Sequence, residues 1–431
     1  MIVRLTIFVI ALACLLNGVS AQESSVPSAT PMATASGITD PAAATGAWLD
    51  TVPLNERARS DAYFEGGYWL ILWNFLLIAA ITLLLLKTRL SAKIRHLAAS
   101  LTRFRPAQVG IYAIGFTLFT AILSFPLHCY ESFVREHQYG MSNQTFGAWF
   151  SESLNALAIA VVALPISLMI LYRIFQATER NWWIWGAVSG IILVTIGNIA
   201  APVLIEPIFN KYTPLTDPKI RDPILALARA NEIPVKQVFV VDQSRQTKRV
   251  SANVSGLAGT TRIALNDNLL NECSLPEIRE VMAHEMGHYV LNHGAKATAF
   301  LAIFIFIGFG LAAIIFNPVI RKHGPAWGID GIADPAGFPL LVLIFASYGF
   351  VLTPISNTIG RNIEREADAF AINAAREPDA AAMIALKLGK YRKLDPGPTE
   401  EFIFFDHPSG RSRIRMAMDW KAAQLPCGEV K

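Results

Sequence analysis

The chain has 431 residues, long enough for two or three soluble domains, yet 53% are hydrophobic, only 16% are charged and the mean hydropathy is +0.40. Soluble domains carry about 25% charged residues, so a purely soluble protein is excluded. The net charge of +4 is small. The Lys and Arg residues gather near the ends of apolar runs, which marks them as topology determinants and excludes a nucleic-acid surface.

Residues 1–21 read as a secretory signal peptide or an anchor helix, with Arg4 ahead of an apolar stretch and Val19, Ser20 and Ala21 forming a small-residue cleavage site. Residues 22–60 begin with an Ala-, Ser-, Thr- and Pro-rich stretch that has little to bury, and the segment is expected to be polar and disordered. Four apolar runs follow, at 68–86, 109–127, 154–172 and 182–204, within a transmembrane region over 61–205. Each approximates the roughly 20 residues that cross a bilayer. A polar section, 206–296, holds a helical pattern at 222–231 and strand patterns at 237–242 and 262–265. Two more spans, 297–316 and 338–355, lie within 297–356, and 357–431 opens with a helix to about residue 376.

The four cysteines, Cys14, Cys129, Cys273 and Cys427, are scattered and form neither a zinc pattern nor a disulfide framework. The loop 87–108 carries Lys87, Arg89, Lys93, Arg95, Arg103 and Arg105 with no acid. The positive-inside rule puts it in the cytoplasm, and counting spans forward then puts 206–296 on the extracytoplasmic side.

Chemistry is concentrated at His284-Glu285-Met286-Gly287-His288. Ser274-Leu-Pro-Glu277 is a capping box that starts a helix expected to run through His293. At 3.6 residues per turn His284 and His288 share a face, and Glu285 lies about 100° round from His284. Two imidazoles so spaced grip one cation, and the glutamate beside them is placed to take a proton from water. A hydrolytic zinc site has three protein ligands and an open position. The best third candidate is Glu364, with Asp368 on the same helix face as a carboxylate that orients a ligating histidine, while Glu366 points away. On a continuous helix His293 would lie about 180° round from His284, a poorer third ligand. The expected fold is therefore mainly α, a polytopic transmembrane helical bundle with a zincin-like α+β catalytic section.

Several segments in order, 133–146, 205–215, 284–293, 361–371 and 406–414, resemble the integral-membrane zinc metallopeptidases of the CaaX prenyl protease 1 (Ste24) type, within the M48 peptidases. The resemblance covers roughly residues 60–420. It implies one zinc ion held by His284, His288 and Glu364, with Glu285 as general base and Asp368 behind the ligands. It implies that His407 and Arg413 line the site and contact substrate, that Asn292 is a polar residue near it, and that a substrate peptide pairs with an edge strand near Asn253. The implied architecture is a helical barrel around a large chamber. The implied partners are membrane lipid and a peptide or protein substrate, with or without a lipid attached. The implied side for the eukaryotic relatives is cytosolic, against the charge count. Two departures stand out: the usual Ser-Arg-Arg before the ligand glutamate is Gly360-Arg361-Asn362, and six spans plus the signal stand where seven spans are usual. A membrane quality-control protease of the same chemistry and a noncatalytic scaffold or transporter are the rival readings.

Overall fold

The computed structural model describes residues 40–424 apart from 179 and 256–260. The signal-like residues 1–21 lie outside the described residues. The first described helix, α1 (Pro41–Asp50), falls in the segment expected to be disordered. It is ordered because Trp48 and Leu49 are buried against Ile372, Leu386, Ile414 and Met418 from the end of the chain. That cluster was not readable from the polar composition around it.

Long helices make the transmembrane part: α2 (Leu54–Lys87), α3 (Leu90–Leu101), α4 (Arg105–Cys129), α5 (Phe146–Thr178) and α6 (Trp182–Ala200). Helices α4 and α6 continue through π turns to Gln138 and Phe209. All but the short α3 are long and apolar enough to cross a membrane, as are the later α10 (His293–Trp327) and the helix that ends at Ala375, so the described residues hold six such helices. Their shared core includes Tyr112, Phe116, Leu168, Tyr172, Phe175 and Phe316. The outward faces carry Ile122, Ile314 and Val351, each more than 70% exposed, as an apolar solvent permits.

The catalytic section starts with β1 (Tyr212–Pro214), α7 (Pro218–Ala230), β2 (Val238–Val241), β3 (Ala252–Ser255) and β4 (Arg262–Asn266). The sheet order is β1-β2-β4-β3. Strands β2 and β4 are parallel, with Val238 opposite Ile263, while β1 and β3 join antiparallel at the two edges. Strand β1 was not expected, being three residues with Pro214 at its end; edges are where proline is tolerated. Then come α8 (Asp267–Glu272) and α9 (Leu275–Val290). Met282 and Met286 of α9 are fully buried between Ile263 and Leu265 of the sheet and Ala371 and Ala375 of α11 (Phe338–Ala375). Burial of this kind stabilises by roughly 1.5–3 kcal/mol per large side chain. Helices α12 (Pro378–Leu388), α13 (Pro398–Phe404) and α14 (Gly410–Ala423) close the chain.

The sixth span and the acidic helix are one element, α11, with Pro354 inside it. The basic loop sits at the far end of the bundle from the polar section: Arg89 donates to the carbonyl of Ala326 (2.6 Å) at the end of α10, and Arg95 binds Asp334 just before α11.

Candidate metal centre

Helix α9 starts where the capping box places it. The backbone N–H of Ser274 donates to Glu277 Oε2 at 2.6 Å, and Pro276 sits in the first turn. This start sets the register of His284, Glu285 and His288. Helix α11 then crosses α9 at Gly287. A Cβ at that position would meet Phe370 Cδ1 at 3.1 Å and Ala367 Cα at 3.3 Å. Only glycine permits this approach without displacing α11, and the approach delivers Glu364 and Asp368 to the histidines.

Three ligand atoms converge. His284 Nε2 lies 3.1 Å from His288 Nε2 and 3.1 Å from Glu364 Oε2, and His288 Nε2 lies 3.6 Å from Glu364 Oε1. A tetrahedral zinc with bonds of about 2.0–2.1 Å separates its ligand atoms by about 3.3 Å. The donor set therefore fits a zinc ion with one position left open. Glu364 Oε2 is buried and makes no directed hydrogen bond, as an atom reserved for a cation would be.

Behind His284, its Nδ1 lies 2.9 Å from Asp368 Oδ1. Asp368 is in turn gripped by the buried guanidinium of Arg413, whose Nε donates to Oδ2 at 2.8 Å. The chain Arg413–Asp368–His284 sets the tautomer that leaves the Nε2 lone pair facing the other ligands. Burial and the neighbouring His284 push His288 down to about 3, which keeps this imidazole neutral. Burial, opposed by His284 and reinforced by Glu364, raises Glu285 to about 7.

His407 reaches the site from the loop before α14. Its Nδ1 lies 2.8 Å from Asp406 Oδ1 and its Nε2 lies 3.3 Å from Glu364 Oε2. Gly360 and Arg361 show how this loop is held. Arg361 donates to the carbonyl of Glu401 at 2.8 Å and to that of Phe405. A Cβ on Gly360 would come within 3.1 Å of the Asp406 carbonyl. Neither Arg361 nor Asp406 carries a role readable from the sequence: Arg361 binds carbonyls 40 and 44 residues away, and Asp406 acts on its own neighbour His407.

Of the site residues expected from sequence, His284, Glu285, His288, Glu364, Asp368, His407 and Arg413 come together here. Asn253 lies on the edge strand β3, which packs beside α9. Asn292 sits in the turn between α9 and α10 with φ 55° and ψ 37°, a left-handed conformation that asparagine tolerates. That turn overturns one expectation: α9 ends at Val290, and His293 begins the next helix instead of continuing the same one. Its azimuth cannot be extrapolated from His284, and its Nδ1 lies 2.9 Å from His288 Nδ1.

One further carboxyl was missed. Glu280, a turn before His284, is buried with Oε2 unpartnered, and burial with Asp368 nearby raises it to about 8. Its folded value exceeds the ordinary glutamate value of 4.5, so the folded state binds the extra proton between these values and loses stability as pH rises through that window. Replacing Glu280 with Gln is expected to raise the melting temperature of the metal-free protein, by an increment that grows from about pH 5 to pH 8. An increment independent of pH would contradict the assignment.

The comparisons with known proteins agree with this geometry. Peptidase family M48 matches residues 214–421, and the CAAX prenyl protease N-terminal family, described as five membrane helices, matches residues 46–211. The catalytic part of the chain, residues 214–421, is an M48 peptidase section. Between 46 and 211 the described residues hold four helices long enough to span, beside the short α3. The chain is 27% identical to the uncharacterized metalloprotease YhfN of Bacillus subtilis over 80% of its own length and 82% of that protein's. It is 27% identical to the CAAX prenyl protease 1 of Saccharomyces cerevisiae, over 78% of its length and 80% of the relative's. Its fold matches the crystal structure of S. mikatae Ste24p with a TM-score of 0.74 at 23% identity, covering 97% of this chain and 98% of that one. The protein is a multi-pass membrane metalloprotease that acts on peptide or protein substrates.

Proposed function

We propose that the metal is zinc and that the protein is an endopeptidase working at the extracytoplasmic end of its helical bundle. The observation that carries the metal reading is the convergence of His284, His288 and Glu364 at 3.1–3.6 Å with a fourth position open. When bound, zinc supplies the Lewis acid that polarises the scissile carbonyl and acidifies water. Glu285 takes the proton from the attacking water and returns it to the departing nitrogen. Asp368 and Arg413 hold His284 in its ligating tautomer. His407, oriented by Asp406, presents Nε2 beside Glu364, where it can donate to the developing oxyanion. The substrate backbone pairs with the free edge of β3 near Asn253, a β-augmentation mode.

Sidedness rests on charge. Lys87, Arg89, Lys93, Arg95, Arg103 and Arg105 cluster at the end of the bundle remote from the metal ligands, and the positive-inside rule keeps that end in the cytoplasm. This side favours envelope-facing protein substrates, a quality-control activity, over the cytosolic lipidated substrates implied by the eukaryotic relatives. Cleavage-site mapping on matched prenylated and unprenylated peptides, with Glu285→Gln as the inactive control, tests the substrate. Cutting confined to prenylated C-terminal peptides would refute the quality-control reading. Labelling of an Asp222→Cys variant by an impermeant thiol reagent in intact cells tests the side; a site reached only after lysis reverses it.

A further inference from the structure

The environment of His288 contains a second chain of side chains, separate from Asp368 and Arg413. His288 Nδ1 lies 2.9 Å from His293 Nδ1, and His293 Nε2 lies 3.2 Å from Glu366 Oε2. Lys296 Nζ donates to the same Glu366 oxygen at 2.6 Å. His293 is only 3% exposed, whereas Glu366 and Lys296 are about half exposed.

We propose that His293 is a positioning residue for the metal ligand His288, held in the required tautomer by Glu366 and Lys296. This rests on zinc occupying the His284, His288 and Glu364 site. The protonation follows from the partners, one atom at a time. His288 must keep the lone pair of Nε2 for the metal, because Nε2 is the atom that faces His284 and Glu364. Its proton is therefore on Nδ1 and is donated to His293. To accept it, His293 must carry its own proton on Nε2, and there a carboxylate oxygen waits. Lys296 holds that carboxylate in place.

Each ligating imidazole thus has its own outer carboxylate: Asp368 directly for His284, and Glu366 through His293 for His288. The two acids are two positions apart on α11 and so point to different sides of it. That separation lets one helix serve two rings. The left-handed turn at Asn292 makes the contact possible, since it folds the start of α10 back toward α9.

Outer partners of this kind are generally worth 10–100-fold in metal affinity. Zinc affinity, measured by competition with a chromophoric chelator on the purified full chain in detergent, is the readout. His293→Ala is expected to lower it by about 10–100-fold, whereas His293→Asn, which keeps an acceptor oxygen near the place of Nδ1, should recover much of the loss. Because His293 is buried, Glu366→Gln provides an independent arm at a half-exposed position. It should weaken zinc binding in the wild-type background and have little further effect when combined with His293→Ala. Affinities of His293→Ala and Glu366→Gln both within about twofold of wild type would overturn the relay, as would fully additive losses in the double variant. Wild-type protein that binds no zinc would instead sink the zinc reading beneath it.

Discussion

Replacing Glu285 with Gln is expected to lower kcat/KM for a quenched peptide by about 10²–10⁴-fold, the range that a positioned acid–base group supplies, with zinc still bound at one ion per chain. Gln keeps the size of the side chain and its place on α9, but it cannot take a proton from water. Glu285 is not among the atoms that converge as metal ligands, which are those of His284, His288 and Glu364. The two measurements therefore separate base from ligand. Retained zinc with lost turnover identifies the base. Full turnover would remove Glu285 from the mechanism, and lost zinc would show that it shapes the metal site instead.

Replacing Glu364 with Ala is expected to give the complementary result, a loss of zinc affinity of more than about 100-fold. Outer partners of metal ligands already cost 10–100-fold when removed, and a direct ligand is expected to cost more. The carboxylate lies 3.1 Å from one imidazole and 3.6 Å from the other, so its removal leaves two ligands where a closed three-ligand face is needed. Metal content after gel filtration, with the melting profile as a folding control, gives the answer. Undiminished zinc in a folded Glu364→Ala protein would put the third ligand elsewhere, and His407, 3.3 Å from Glu364, would be the next residue to test.

The parts of this molecule that were legible in the sequence are those with local causes. The six spans read from their length because a bilayer demands about 20 apolar residues in a row. The capping box at Ser274 announced α9, and the four-residue spacing put both histidines on one face. The same arithmetic selected Glu364 and Asp368 over Glu366 for the metal side of α11. His407 and Arg413 had no such signal and were reached only through the family resemblance, because nothing periodic connects α14 to α9.

The failures were equally physical. The helical period carries α9 through His293, but the helix stops at Val290, and a single left-handed residue resets the direction of everything after it. Asn292, a residue type that adopts this conformation more readily than most, was the available warning. Helix α1 was missed because Trp48 and Leu49 find their partners in α11, α12 and α14 more than 300 residues later.

The sequence by itself determined the chemistry and the medium: a His-Glu-x-x-His helix, an acidic helix to complete it, and apolar runs that hold both in a membrane. Tertiary structure alone decided that these pieces form one site. His284 and Glu364 stand 80 positions apart, and they meet because Gly287 lets α11 lie directly on α9. That contact distance depends on shape complementarity between two helix surfaces, which no local period encodes. The tautomers follow from the same packing, since each ring nitrogen is assigned by a partner that folding alone brings within reach.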